Sequence, residues 1–97
     1  MTNELEELDD DQRNNLMYQK PGIAYYMAVY DFCKSKQISL YRFAKFAKVN
    51  DRNFQYWKNG KMPKRLTWDR VMVGMSEYEK QLEKNNELMQ YSNADNL

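Results

Sequence analysis

Three times between residues 38 and 67 an apolar residue is followed directly by a good helix-capping residue: Ile38-Ser39, Val49-Asn50 and Leu66-Thr67. A serine, asparagine or threonine oxygen can accept an orphan backbone N–H at a helix start. The apolar residue before it can pack on the fourth helical residue as a hydrophobic staple. Here the pairs are Ile38 with Phe43, Val49 with Phe54, and Leu66 with Val71. No glutamate stands at the third helical position, so these are staples without capping boxes. The repeated device predicts three helix starts and leaves little room for strands.

Helical periodicity fills the segments between. Leu40, Phe43, Ala44 and Ala47 stand at i, i+3, i+4, i+7, with Arg42 and Lys45 outside. A further helix is predicted from Asp51 to Trp57 or Lys58, stopping at Asn59-Gly60, where glycine takes the left-handed conformation of a helix exit. Lys61-Met62-Pro63-Lys64-Arg65 is a basic loop. The last helix is expected after Thr67, with Trp68, Val71, Met72, Met75, Tyr78 and Leu82 in one stripe, running to about residue 90. Upstream, Ile23 to Lys36 is read as helix because its neighbours are helical, although Tyr25, Tyr26, Val29 and Tyr30 also suit a strand. The fold class is all-α, a bundle of about four helices. Residues 1–20 are expected to be a flexible acidic tail with at most a helical turn. Residues 21–92 form the domain, its two-helix motif at 40–59 and its long C-terminal helix from about 67. Residues 93–97 form a disordered tail.

Composition narrows the function. Ninety-seven residues make one domain. Mean hydropathy is -0.98, and no window approaches the roughly 18–20 apolar residues of a membrane span. No apolar run follows basic residues at the N-terminus, so a cytoplasmic protein is expected. One cysteine, Cys33, and no histidine leave no parts for a disulfide framework, a structural zinc site or a histidine-dependent triad. Cys33 reads as a small buried hydrophobe. No enzyme, metal or cofactor is expected.

The formal charge of +1 conceals a strong segregation. Residues 1–20 carry six acids against Arg13 and Lys20, and residues 67–97 carry six against three bases. Between them, residues 21–66 hold ten lysines and arginines against only Asp31 and Asp51. A concentrated basic middle suits a polyanion, because the relevant field is local. The plainer alternative is a solvated lysine-rich surface.

Two short helices joined only by Lys48-Val49-Asn50 have the connection of a helix-turn-helix. Phe43, Ala47, Val49, Phe54 and Trp57 occupy its inward positions, and Ala44 stands where the helices approach most closely. The stretch ISLYRFAKFAKVNDRNFQYWKNGKMP resembles the helix-turn-helix of the Cro and lambda-repressor-like (xenobiotic-response-element-type) regulators. Ile38-Ser39, Phe43-Ala44, Val49-Asn50, Phe54, Trp57, Asn59-Gly60 and Pro63 stand at matching places, and the likeness covers about residues 23–75. It implies a lambda-repressor-like bundle. Three departures matter. Lys48 replaces the usual turn glycine, Lys58 the common glutamate, and one long helix the usual short fifth.

The resemblance implies double-stranded DNA binding, with the 51–59 helix in the major groove of an operator. At 100° per residue, Phe54 and Trp57 define the inward direction, and Arg52, Gln55, Tyr56 and Asn59 point away. Arg52 can donate a bidentate pair to guanine and Gln55 to adenine, and Tyr56 can touch a thymine methyl or a phosphate. Asp51 either accepts from cytosine N4 or serves only the helix N-terminus, and Asn53 lies at the side. Ser39, Tyr41, Arg42, Lys45, Asn59, Lys61, Lys64 and Arg65 are the candidate phosphate contacts. Lys34 and Lys36 read as solvated. The stripe at Met75, Tyr78 and Leu82 is a candidate homodimer contact, or it folds back over the first helix. The leading reading is a transcriptional repressor. The rival is a phage- or plasmid-type inhibitor module that uses the same scaffold to bind a protein. For that rival the acidic tail and the C-terminal stripe are the contacts. A separate alternative is that the acidic tail covers the basic face until DNA displaces it.

Overall fold

A computed structural model describes the backbone of residues 8–95 and the side chains of residues 8–86. Five helices follow in chain order: α1 Asp10–Gln19, α2 Gly22–Lys36, α3 Leu40–Ala47, α4 Arg52–Lys58 and α5 Arg65–Asp95. No strand occurs among the described residues, so the fold is all-α.

Of the expected caps, Ser39 holds the N-cap position of α3. Helix α4 starts one residue later than expected, with Asp51 at the N-cap position, making no side-chain cap, and Asn50 just before it. The Ser39 hydroxyl accepts from the Arg42 N–H at 3.1 Å, and the Asn50 side-chain oxygen accepts from the Arg52 N–H at 2.9 Å. Ile38, Phe43, Val49 and Phe54 all reach the core. The third start differs. The Trp68 N–H donates to the Lys64 carbonyl at 3.0 Å, so α5 begins at Arg65 and Thr67 falls within its first turn. Starting there puts Leu66 about 140° around the helix from Val71. Val71 is buried, whereas Leu66 is 75% exposed and staples nothing.

The expected tail at 1–20 is also corrected. Residues 10–19 are a helix opened by a capping box: Asp9 accepts from the Gln12 N–H at 2.7 Å, and Gln12 accepts from the Asp9 N–H at 3.1 Å. Asp10 and Asp11 sit in the first turn, where the helix dipole favours negative charge. Leu16 and Met17 pack against the core, so three acids of the acidic run serve a docked helix. Glu4, Glu6 and Glu7 lie outside the described residues. At the other end α5 continues to Asp95 through most of the expected disordered tail, and Asn96 and Leu97 lie outside the described residues.

Helices α2, α3 and α4 leave by the same geometry. Gln37 (φ 56°), Lys48 (φ 61°) and Gly60 (φ 101°) are left-handed. Each following N–H reaches back to a helix carbonyl: Ile38 to Cys33 and Val49 to Ala44 at 3.0 Å, and Lys61 to Tyr56 at 2.9 Å. Only the third exit has the residue that adopts this conformation freely. Lys48 therefore holds the turn glycine's conformation without being glycine.

Helix α2 packs on α4, and α3 packs on α5. Phe43, Phe54, Trp57, Val29 and Val71 are fully buried between them. Two chains of aromatic rings tie the layers together. One runs Tyr25–Trp68–Trp57–Phe54, with centroids 4.9, 5.9 and 5.3 Å apart. The other runs Phe43–Phe32–Tyr78–Phe46, at 5.4, 6.1 and 5.5 Å. Burying each such side chain is worth about 1.5–3 kcal/mol, which explains how an eight-residue α3 and a seven-residue α4 persist. No helix among the described residues is long and apolar enough to cross a membrane.

Candidate nucleic-acid interface

The rotation of α4 is set by its two buried rings. Phe54 and Trp57, three residues apart, contact each other edge to face beneath the helix. The opposite side then carries Arg52, Gln55, Tyr56 and Asn59, all exposed, with exposed Asp51 at the start. Asn53 is half-buried at the flank, and its side-chain amide donates to the Asn50 carbonyl at 3.0 Å. One of its two amide N–H donors is thus engaged in closing the α3–α4 turn.

Lys61 and Lys64 lie beside that face. Arg42, Lys45, Lys61, Lys64 and Arg65 are exposed, as is Ser39, whose hydroxyl also caps α3. Two exposed tyrosines each lie under a lysine. The Lys45 ammonium is 4.7 Å from the Tyr41 ring centroid and the Lys61 ammonium 5.2 Å from that of Tyr56. A cation over a ring face is held by the ring quadrupole, so these lysines stay near the helices and do not sweep freely. Beside α4 a cleft of about 320 Å³ brings Asn53 and Tyr56 together with Lys61 and Lys64. Trp57, Met62 and Thr67 complete its lining, and the sequence reading gave none of these three a contact role.

Lys20 was missed for a clearer reason: it lies in the segment read as tail. Folding brings its aliphatic stem against Gly60, so close that a β-carbon there would come within 2.9 Å of the lysine's own. The exposed Lys20 therefore lies with its stem at the exit of α4. The signal was the Asp9-to-Gln12 spacing, which marks a helix leading into Lys20.

Other charged groups are placed elsewhere. Lys58 is half-buried with its ammonium 5.9 Å from the Tyr26 ring, and Lys36 pairs with Glu79 at 3.6 Å. Lys36 is thus tied to α5 rather than simply solvated. Met75 packs on the core and Tyr78 sits between Phe32 and Phe46, so these two candidate dimer contacts are used within the chain. Leu82 is half-buried on the same stripe. The stripe has folded back over α2 and α3. Cys33 is buried, and burial pushes its thiol up from 9.0 to about 11. No group of three histidines, cysteines or acids among the described residues can hold a metal ion. Comparison with protein-family models, curated proteins and solved structures gave no match.

Proposed function

We propose that this chain is a sequence-specific double-stranded DNA-binding regulator, a repressor acting by occupancy in the cytoplasm, with a lambda-repressor-like arrangement around α3 and α4. The observation that supports the reading most is the two-sidedness of α4. Phe54 and Trp57 are locked inside, while Arg52, Gln55 and Tyr56 project from the exposed face, with Lys61 and Lys64 beside Tyr56. An α-helix with its side chains is about 10–12 Å across. The major groove, about 12 Å wide, admits it. Arg52 and Gln55 have the donor patterns for guanine and adenine edges, and the surrounding cations would hold phosphates without reading sequence.

A mobility-shift assay on selected and random DNA at about 50 and about 200 mM salt tests this directly. With about five to seven phosphate contacts, log affinity falls against log salt with a slope near −5 to −6. Arg52→Ala should relax base preference, whereas Lys61→Ala should weaken all sequences alike. Equal loss of preference from both substitutions overturns the role assignment. Absent or salt-insensitive binding overturns the DNA reading and favours the inhibitor module.

A further inference from the structure

We propose that the outward face of α5 pairs, antiparallel, with the same face of a second copy of this chain. This face is not the stripe that the sequence pointed to, of which Trp68, Val71, Met75 and Tyr78 pack inward while Met72 is 44% exposed. Leu66 is 75% and Val73 60% exposed, two helical turns apart. They border a groove of about 620 Å³ between α5 and the end of α3, whose wall includes Phe46 and Ala47.

The charges beside this apolar seam select the occupant. Arg70 and Glu77 lie along one flank, and Asp69 and Lys80 along the other. A two-fold axis running between the two helices, perpendicular to α5 and level with the Val73–Gly74 bond, puts Arg70 and Glu77 about 5 Å to either side of it along the helix. Each Arg70 is then level with Glu77 of the second copy. On the opposite flank, Asp69 comes within two residues' rise, about 3 Å along the axis, of level with Lys80 of the second copy. The two Val73 side chains meet at the centre. A parallel pairing would set Arg70 on Arg70 and Glu77 on Glu77, so the sequence of charges is self-complementary in one direction only. Existing contacts leave these groups available. Arg70 donates to the Lys48 carbonyl at a long 3.5 Å, and Glu77 meets Lys80 at 3.8 Å with both side chains more than half exposed.

The test is the mass of the full chain in solution, without DNA, by light scattering or sedimentation at sub-millimolar concentration. Wild type should weigh twice 11.8 kDa. Arg70→Glu and Glu77→Arg should each weigh one chain, and the double variant should return to two, because the swap restores both inter-chain pairs. Glu77→Arg is exposed and far from the core, so its helical circular dichroism should match wild type. A monomeric wild type, a dimer untouched by either single change, or a double variant that stays monomeric each overturns the proposal. So does a monomer in which removing residues 1–7 alters the Val73 amide resonance, since the groove would then be filled by the chain itself. The proposal does not rest on the DNA reading, and this measurement is silent on that reading.

Discussion

The Lys61 carbonyl stands where a side chain on Gly22 would begin: a β-carbon added to Gly22 would lie well inside contact distance of that oxygen. The first residue of α2 and the first residue of the basic loop, Lys61, are therefore in direct backbone contact. The basic loop is braced from below by the N-terminal end of the core helix.

Gly22→Ala should consequently cost more than a helix-start alanine normally does. The intruding methyl meets backbone rather than a flexible side chain, so about 1–3 kcal/mol is expected. For a chain of this size that lowers Tm by about 4–8 °C per kcal/mol. Thermal unfolding followed at the helical band measures it, and an unchanged Tm would show that the loop simply yields.

Lys48 offers the opposite experiment. Its left-handed backbone is strained for any residue with a β-carbon, and Lys48→Gly removes that strain while loosening the unfolded chain. The net expectation is a gain of about 0.5–1 kcal/mol in denaturant unfolding, with the same sign for Gln37→Gly. A loss at Lys48 would mean that its side chain contributes contacts outweighing the strain.

Adjacent residues of α4 should behave in contrary ways. Trp57→Ala empties the space between α2, α4 and Trp68 and should cost about 3–5 kcal/mol, a large part of a small domain's stability. Tyr56→Ala changes an exposed ring and should fall within about 0.5 kcal/mol. Comparable losses from the two would place α4 in a different rotation.

Lys20→Ala should lower affinity for every DNA sequence alike and reduce the magnitude of the salt slope by about one, since its stem lies at the exit of α4. Lys36, paired with Glu79 on the other side of α2, should leave binding unchanged when replaced by alanine. A titration of affinity against salt for both variants separates a local contact from general charge loss.

Burial keeps the Cys33 proton on sulfur up to about pH 11, whereas an exposed thiol releases it near 9.0. The folded state thus binds a proton that the unfolded state has already lost. The associated stability is complete below pH 9 and disappears as pH rises through about 11. Denaturant midpoints across that window should fall more steeply for wild type than for Cys33→Ala. At neutral pH a thiol reagent should label the native protein only after unfolding.

Much of the motif was legible because it is local. Serine, asparagine and glycine at fixed offsets satisfy backbone groups within four residues, and the 3.6-residue period separates Phe54 and Trp57 from Arg52 and Gln55 without knowledge of any partner. The α3 limits and the inward set Phe43, Ala44, Ala47, Phe54 and Trp57 followed from that alone. The α1 helix was not legible from apolar periodicity, because its register is held by a capping box and by Leu16 and Met17 meeting a surface elsewhere in the chain.

What the sequence determined by itself is the set of short helices, their exits, and which way each short amphipathic segment must turn, because capping and periodicity act over one or two turns. What only the tertiary structure decided is which of two apolar strips on α5 is consumed and which cations share a surface. Tyr78 went inward because Phe32 and Phe46 were there to receive it, and Lys20 reached Gly60 because α1 docked. Such outcomes depend on where distant segments come to rest, and no spacing along the chain encodes that.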